Sequence, residues 1–139
     1  LLQEAGMKIE GNCHCGSITY EAVVDPDSVT VCHCTDCQTL TGSAFRANIP
    51  AAAETFVLRG EPKIYIKTAD SGNKRAHAFC PDCGTPIYAS AISNPATYSL
   101  RIGSIKQKME LMRPKRQIWC KSASPWPMDI SEVPQSTEQ

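Results

Sequence analysis

The chain has 139 residues, 42% of them apolar and 20% charged, and its 14 basic and 14 acidic side chains cancel. That is enough chain for one domain, burying roughly 68% of its extended surface on folding. The zero net charge excludes a global field that would pull the chain onto nucleic acid or an acidic membrane, and no apolar run reaches the ~20 residues of a spanning helix.

In chain order, the opening LLQEAGM lacks a basic segment followed by an apolar one, so no export signal is expected. Met7 reads as the natural start, with Leu1 to Gly6 as an N-terminal extension. SITYEAVV (Ser17 to Val24) alternates and is β-branched or aromatic, which predicts a strand ended by Asp25-Pro26-Asp27. Thr35-Asp36 predicts the start of a brief helix through Leu40. A second short helix is expected at Ala51 to Thr55, entered through Pro50. TFVLRG, KIYIKT and AHAFC predict strands, with SGNK (Ser71 to Lys74) a hairpin turn between the last two. TPIYASAI and TYSLRIGSI follow as strands on either side of Ser93-Asn94-Pro95, and the polar tail from Ser131 is expected to fray. The class is mainly β with short helical turns, as a single domain over residues 7–130 with a tail over 131–139.

Seven of the eight cysteines fall in three clusters: Cys13 and Cys15, then Cys32, Cys34 and Cys37, then Cys80 and Cys83. With no export signal expected, a reducing cytoplasm would keep these thiols free, and their close clustering argues for metal ligands, not for a disulfide framework. Cys-x-Cys on a strand puts both sulfurs on one face. His14 and His33 then face away from the metal or sit behind it. CPDCG (Cys80 to Gly84) reads as a zinc knuckle, with Gly84 permitting a left-handed exit. Cys13, Cys15, Cys80 and Cys83 make a closed, structural four-cysteine zinc site whose metal contributes folding energy. Cys32, Cys34 and Cys37 remain as three ligands with a vacant position, the pattern of catalytic zinc. The alternative is that Cys120 closes this second site, making the chain a non-catalytic zinc-stabilised binding module.

Three thiolates on Zn²⁺ leave about −1 of charge and a poor generator of hydroxide, so hydrolysis is disfavoured. Such a zinc can still hold an incoming thiol as thiolate, which points to bond making or breaking at sulfur. A fourth thiolate would need nearby cations or N–H donors to offset its charge.

GNCHCGSITY, CHCTDCQTLTGSAF, FCPDCGTPIY and IWCKSASPW, in that order, resemble the family of glutathione-dependent formaldehyde-activating enzymes, or S-(hydroxymethyl)glutathione synthases. The likeness runs from about Met7 to Ile130. It implies a β-tent-like zinc-binding fold of layered antiparallel sheets, a structural zinc on Cys13, Cys15, Cys80 and Cys83, and a labile catalytic zinc on Cys32, Cys34 and Cys37. It also implies a carbon–sulfur lyase activity joining glutathione to formaldehyde. Gln117 departs from the family pattern, which often has a histidine before Ile-Trp.

Other features have two readings each. Gly42 to Phe45 is either a wall at the open zinc, with Phe45 shielding it, or a turn into a core strand. Lys106, Lys108, Arg113, Lys115, Arg116 and Lys121 form a basic stretch that either cradles the glutathione carboxylates or is a solvated surface. Without an aromatic ladder it argues weakly for nucleic acid. Arg75 is a candidate to point toward the metal. Trp119 and Trp126 are expected to pack the core or close a pocket rim, and Ser124 to Pro127 to form a rigid extended wall.

Overall fold

The computed structural model describes residues 6–139; residues 1–5 of the expected N-terminal extension lie outside the described part. The described chain forms strands β1 (Met7–Asn12), β2 (Thr19–Val24), β3 (Thr30–Cys32), β4 (Arg46–Ala52), β5 (Val57–Arg59), β6 (Lys63–Thr68), β7 (Lys74–Phe79), β8 (Pro86–Ala91), β9 (Thr97–Arg101) and β10 (Arg116–Ile118). One α-helix, α1 (Thr35–Thr41), joins four 3₁₀ turns among the described residues. The mainly β, antiparallel class read from the sequence is what forms.

The ladder runs β1-β2-β4-β9-β8-β7-β6. It forks at β4, where one edge pairs with β3 over Arg46 to Asn48 and with β2 at Ala51. β10 then adds to β3 in parallel, with Ile118 opposite Cys32. Alternation drives the core. Tyr20, Ala22 and Val24 of β2 turn inward, and Ile49 and Ala51 of β4 join them. Ile9, Ile87, Leu100 and Ile105 complete a fully enclosed apolar centre that also contains Cys13 and Cys80. Gly11 is required here. A Cβ on it would stand 2.1 Å from the Tyr20 ring, whose hydroxyl shares a 2.7 Å hydrogen bond with Ser104. β6 is an edge strand with Ile64, Tyr65 and Ile66 exposed and lysines at Lys63 and Lys67, a charge pattern that blunts edge pairing.

Three expectations need correction. Pro50 does not open a helix; it sits inside β4, and only Ala53–Thr55 makes a 3₁₀ turn. Pairing on that edge passes from β3 at Asn48 to β2 at Ala51, so Pro50 falls in the gap where no ladder donor is needed. Ser124 to Pro127 is bent, not extended, and Asp129 N donates to Trp126 O at 3.1 Å. Trp119 and Trp126 are exposed, so neither belongs to the core.

Candidate metal centre and adjoining cleft

Two turns build the first cysteine cluster. Between β1 and β2 the chain turns so that Gly16 N donates to Cys13 O at 3.1 Å; between β7 and β8 Gly84 N donates to Cys80 O at 2.9 Å. Both glycines sit at positive φ, 84° and 82°, where a side chain would strain the turn. The knuckle exit expected at Gly84 therefore forms, and an equivalent exit forms at Gly16. Cys13 and Cys15 stand on this turn and not on a strand, so the alternation argument for their sulfurs does not apply; the turn itself brings them together. The four sulfurs lie within 4.8 Å of one another. Cys13 and Cys15 are 3.6 Å apart and Cys15 and Cys80 3.7 Å. A tetrahedron with metal–sulfur bonds of about 2.3 Å has sulfur–sulfur edges of about 3.8 Å, so this set fits a tetrahedral thiolate metal. Ile18 N–H donates to Cys13 Sγ at 3.2 Å, and Ser17 Oγ lies 3.2 and 3.3 Å from Cys15 and Cys80. Hydrogen bonding to Thr85 holds the Cys83 thiol down to about 5. Donors of this kind favour thiolate.

The second cluster stands where β3 ends and α1 begins. Cys32 closes β3, Cys34 is the N-cap of α1, and Cys37 lies in its first turn. Cys37 N–H donates to Cys34 Sγ at 3.2 Å, the bond an N-cap side chain makes. The three sulfurs are within 4.8 Å of one another. Cys120 belongs to neither group of donors found among the described residues and is exposed. Burial pushes the Cys37 thiol up to about 12, reinforced by its bonds to Cys34 and Cys32. On Cys34 burial acts in the same direction, but hydrogen bonds from Cys37 and Cys32 and the charge of Lys67 outweigh it and bring that thiol down. Without a cation the three cannot ionise together, whereas a dication would relieve the repulsion, so the donor set fits a thiolate-binding metal.

The expected histidine placement holds, with more detail than spacing offers. His14 is exposed. His33 is fully buried, its ring 5.6 Å from that of Phe45 and its Nε2 donating to Gln117 Oε1 at 2.8 Å. Gln117 thus occupies its departure from the family pattern as the partner of a buried histidine. Phe45 packs against His33 and lines no part of the Cys34 cleft.

Cys34 opens onto a cleft of about 580 Å³ whose wall includes Lys67, Trp119 and Lys121. Lys67 is bound to Asp36 at 2.9 Å, and Lys121 Nζ lies 5.2 Å from the Trp119 ring centre. Trp119 takes φ of 57°, a strained conformation for a bulky residue and one that marks functional segments. Gln38 Nε2 donates to both His33 O at 2.8 Å and Ser122 O at 3.0 Å, tying α1 to the segment after β10. Of the basic stretch only Lys121 reaches this cleft. Lys106 pairs with Glu10 at 3.9 Å, and Arg113, Lys115 and Arg116 line a different groove.

Sequence reasoning missed Arg46, Lys67 and Arg101, the cations around the trio. Arg46 lies directly across the ladder from Cys32. Burial lowers the Arg46 guanidinium while the charges of Cys37, Cys34 and Cys32 support it. The available signal was an arginine placed immediately after GSAF, at the head of a mostly apolar strand. Arg75 is exposed on β7 and lines no part of the Cys34 cleft.

The family model described as "Glutathione-dependent formaldehyde-activating enzyme" matches residues 8–122. The chain belongs to that family. Among curated relatives, a protein of Halomonas elongata provisionally named a glutathione-dependent formaldehyde-activating enzyme is 28% identical over 87 residues, covering 59% of this chain and 55% of that protein. An uncharacterized lyase of Schizosaccharomyces pombe is 29% identical over 83 residues, covering 57% and 55%. The chain thus matches little more than half the length of these relatives. A crystal structure of a Rhodobacter sphaeroides protein superposes with a TM-score of 0.59 at 19% identity, over 78% of this chain and 98% of the other, a likeness of fold. Within the family's matched region fall both cysteine clusters and the 3₁₀ turn at Cys120–Ser122. No helix among the described residues is long and apolar enough to cross a membrane.

Proposed function

We propose that this member of the family is a zinc-dependent carbon–sulfur lyase-like enzyme of a reducing cytoplasm, working as one domain over residues 7–130 on a thiol adduct. The substrate pair is glutathione and formaldehyde, and the product S-(hydroxymethyl)glutathione. The observation that carries this reading is the trio: three sulfurs grouped without a fourth donor among the described residues, one of them facing a cleft. In this reading Cys13, Cys15, Cys80 and Cys83 hold a structural zinc, and Cys32, Cys34 and Cys37 a labile catalytic one. Zinc at the trio supplies a Lewis acid that keeps an incoming thiol ionised at neutral pH.

The chain's own residues do the rest. Lys67 and Lys121 offer positive charge to the two carboxylates of glutathione at the cleft wall. Trp119 gives that wall an apolar face. Gln38 fixes the wall relative to α1. Arg46 and Lys67 offset the negative charge that a fourth sulfur brings. The thiolate sulfur adds to the formaldehyde carbon, the carbonyl electron pair moves to oxygen, and that oxygen takes a proton from solvent, which balances the proton the thiol released on ionising. The reverse reaction breaks the same carbon–sulfur bond.

Metal content measured under reducing conditions tests the reading. One zinc per cysteine group is expected, and excess glutathione should change how fast a colorimetric chelator extracts one of them. Cys34→Ala should abolish turnover and leave the far-ultraviolet circular dichroism intact. If both zincs ignore glutathione and Cys120→Ser releases one, the trio is a closed structural site and the enzyme reading is wrong.

A further inference from the structure

A second cavity, of about 390 Å³, shares no lining residue with the cysteine cleft: it contains Arg46 and Arg101 but no cysteine. Both arginines are more than nine-tenths buried, at 4% and 8% exposure. Arg101 is held firmly. Its Nη1 donates to Asn48 Oδ1 at 2.6 Å and its Nη2 to His77 Nδ1 at 3.2 Å. Its Nε has no partner, nor do Nε and Nη1 of Arg46. The ion pairs formed among the described residues use Lys8, Lys67 and Lys106, so no carboxylate of the described chain neutralises either guanidinium. Neither of these two Arg46 donors is hydrogen-bonded to a trio sulfur.

Leaving a buried donor unmatched is costly, and more so on a charged group. Two guanidiniums facing one cavity also repel each other. His77 brings no relief, because burial and the neighbouring cations hold its imidazole neutral, down to about 4. An anion between the two arginines would remove all of these penalties at once. Most of the remaining wall is apolar, with Leu40, Phe79 and the ring of Tyr88 on it. A mostly apolar pocket of this volume with a few convergent donors is the usual form of a small-molecule site. A guanidinium edge presents two N–H groups in the spacing of a carboxylate.

We infer that this pocket binds a small organic carboxylate, its head held by Arg46 and Arg101 and its apolar body by Leu40, Phe79 and Tyr88. The inference rests on these side chains alone and stands whether or not the trio processes thiols.

The test uses the full zinc-loaded chain with 3-phenylpropionate, and with 3-phenylpropionamide as its uncharged isostere. Calorimetry should give saturable binding of the acid, with the amide at least about tenfold weaker. Nitrogen-15 spectra should show the Nε–H signals of the two buried arginines moving with the acid and not with the amide. Arg101→Lys, which keeps the charge and removes the fork, should weaken the acid by about tenfold; Arg59→Gln, exposed on β5 and outside the pocket lining, should leave it unchanged. Acid and amide binding alike, or no acid binding at about 10 mM, overturns the inference without any variant having to fold. Displacement of glutathione by the acid would make this pocket the acid end of the thiol site; simultaneous binding would make it a separate carboxylate site. Either result upholds the carboxylate pocket.

Discussion

At the scale of single residues, the buried His33–Gln117 bond is the sharpest example of a contact that spacing cannot reveal. His33 lies between two trio cysteines, and its Nε2–H has Gln117 Oε1 as its acceptor. Gln117→Leu would strand that donor in a fully buried site. We expect a loss of about 1–3 kcal/mol, read as a lower urea midpoint with unchanged slope. Gln117→Glu should cost less, because an acceptor remains. The cysteines themselves were legible because metal chemistry needs specific residue types at short spacing. Their partners were not: Ser17, Thr85, Arg46 and Lys67 act through positions that only the folded turns and ladders bring near sulfur.

Elements show the same division between local and non-local information. β2, β5, β6, β7, β8 and β9 were legible, because period-two alternation with β-branched and aromatic residues is a local signal. α1 was legible from its capping residues, although its cap is the Cys34 sulfur and its end is Gly42 at φ of 65°. β1, β3, β4 and β10 were not. β3 and β10 are three residues each, too short to show a period, and β4 contains a proline that argues against a strand unless the fork beside it is known. The tie between α1 and the Cys120–Ser122 turn is also non-local, resting on the two bonds of Gln38. Gln38→Ala should free the turn without unfolding the sheet. Hydrogen exchange at Ser122 N–H and Ala123 N–H, which close that turn on Trp119 and Cys120, should quicken about tenfold while amides of β8 stay protected. Equal protection in the variant would mean that β10 pairing alone holds the segment.

For the whole molecule, the first cysteine cluster joins the β1–β2 turn to the β7–β8 turn, so it links strands far apart along the chain and a metal held there would act as a folding constraint. Cys80→Ser should therefore lower the melting temperature steeply, where Cys34→Ala changes it little. Acid acts on the fold by a separate route, through the buried charge around His77. Arg101 and Arg46 face this imidazole from β9 and β4, Lys67 from β6 and Arg75 from its own strand, and burial together with these cations holds it near 4 against an ordinary 6.5. Above 6.5 His77 is neutral in both folded and unfolded chains and does not affect stability. Between 6.5 and about 4 the unfolded chain takes up a proton that the folded chain refuses, so stability falls as pH falls, and the loss levels off below the folded value. The imidazole is only half buried, so solvent screening holds the loss to about 1–2 kcal/mol. Thiolate protonation and metal release also destabilise the protein in acid, so the informative quantity is a difference between variants. His77→Gln cannot titrate, and its stability should fall less between pH 7 and pH 4 than that of the wild type by about this amount, measured by chemical denaturation at a series of pH values. Parallel stability curves for the two proteins would mean that the imidazole is protonated in the folded state as readily as in the unfolded one, and that the cations around it are screened by a bound anion.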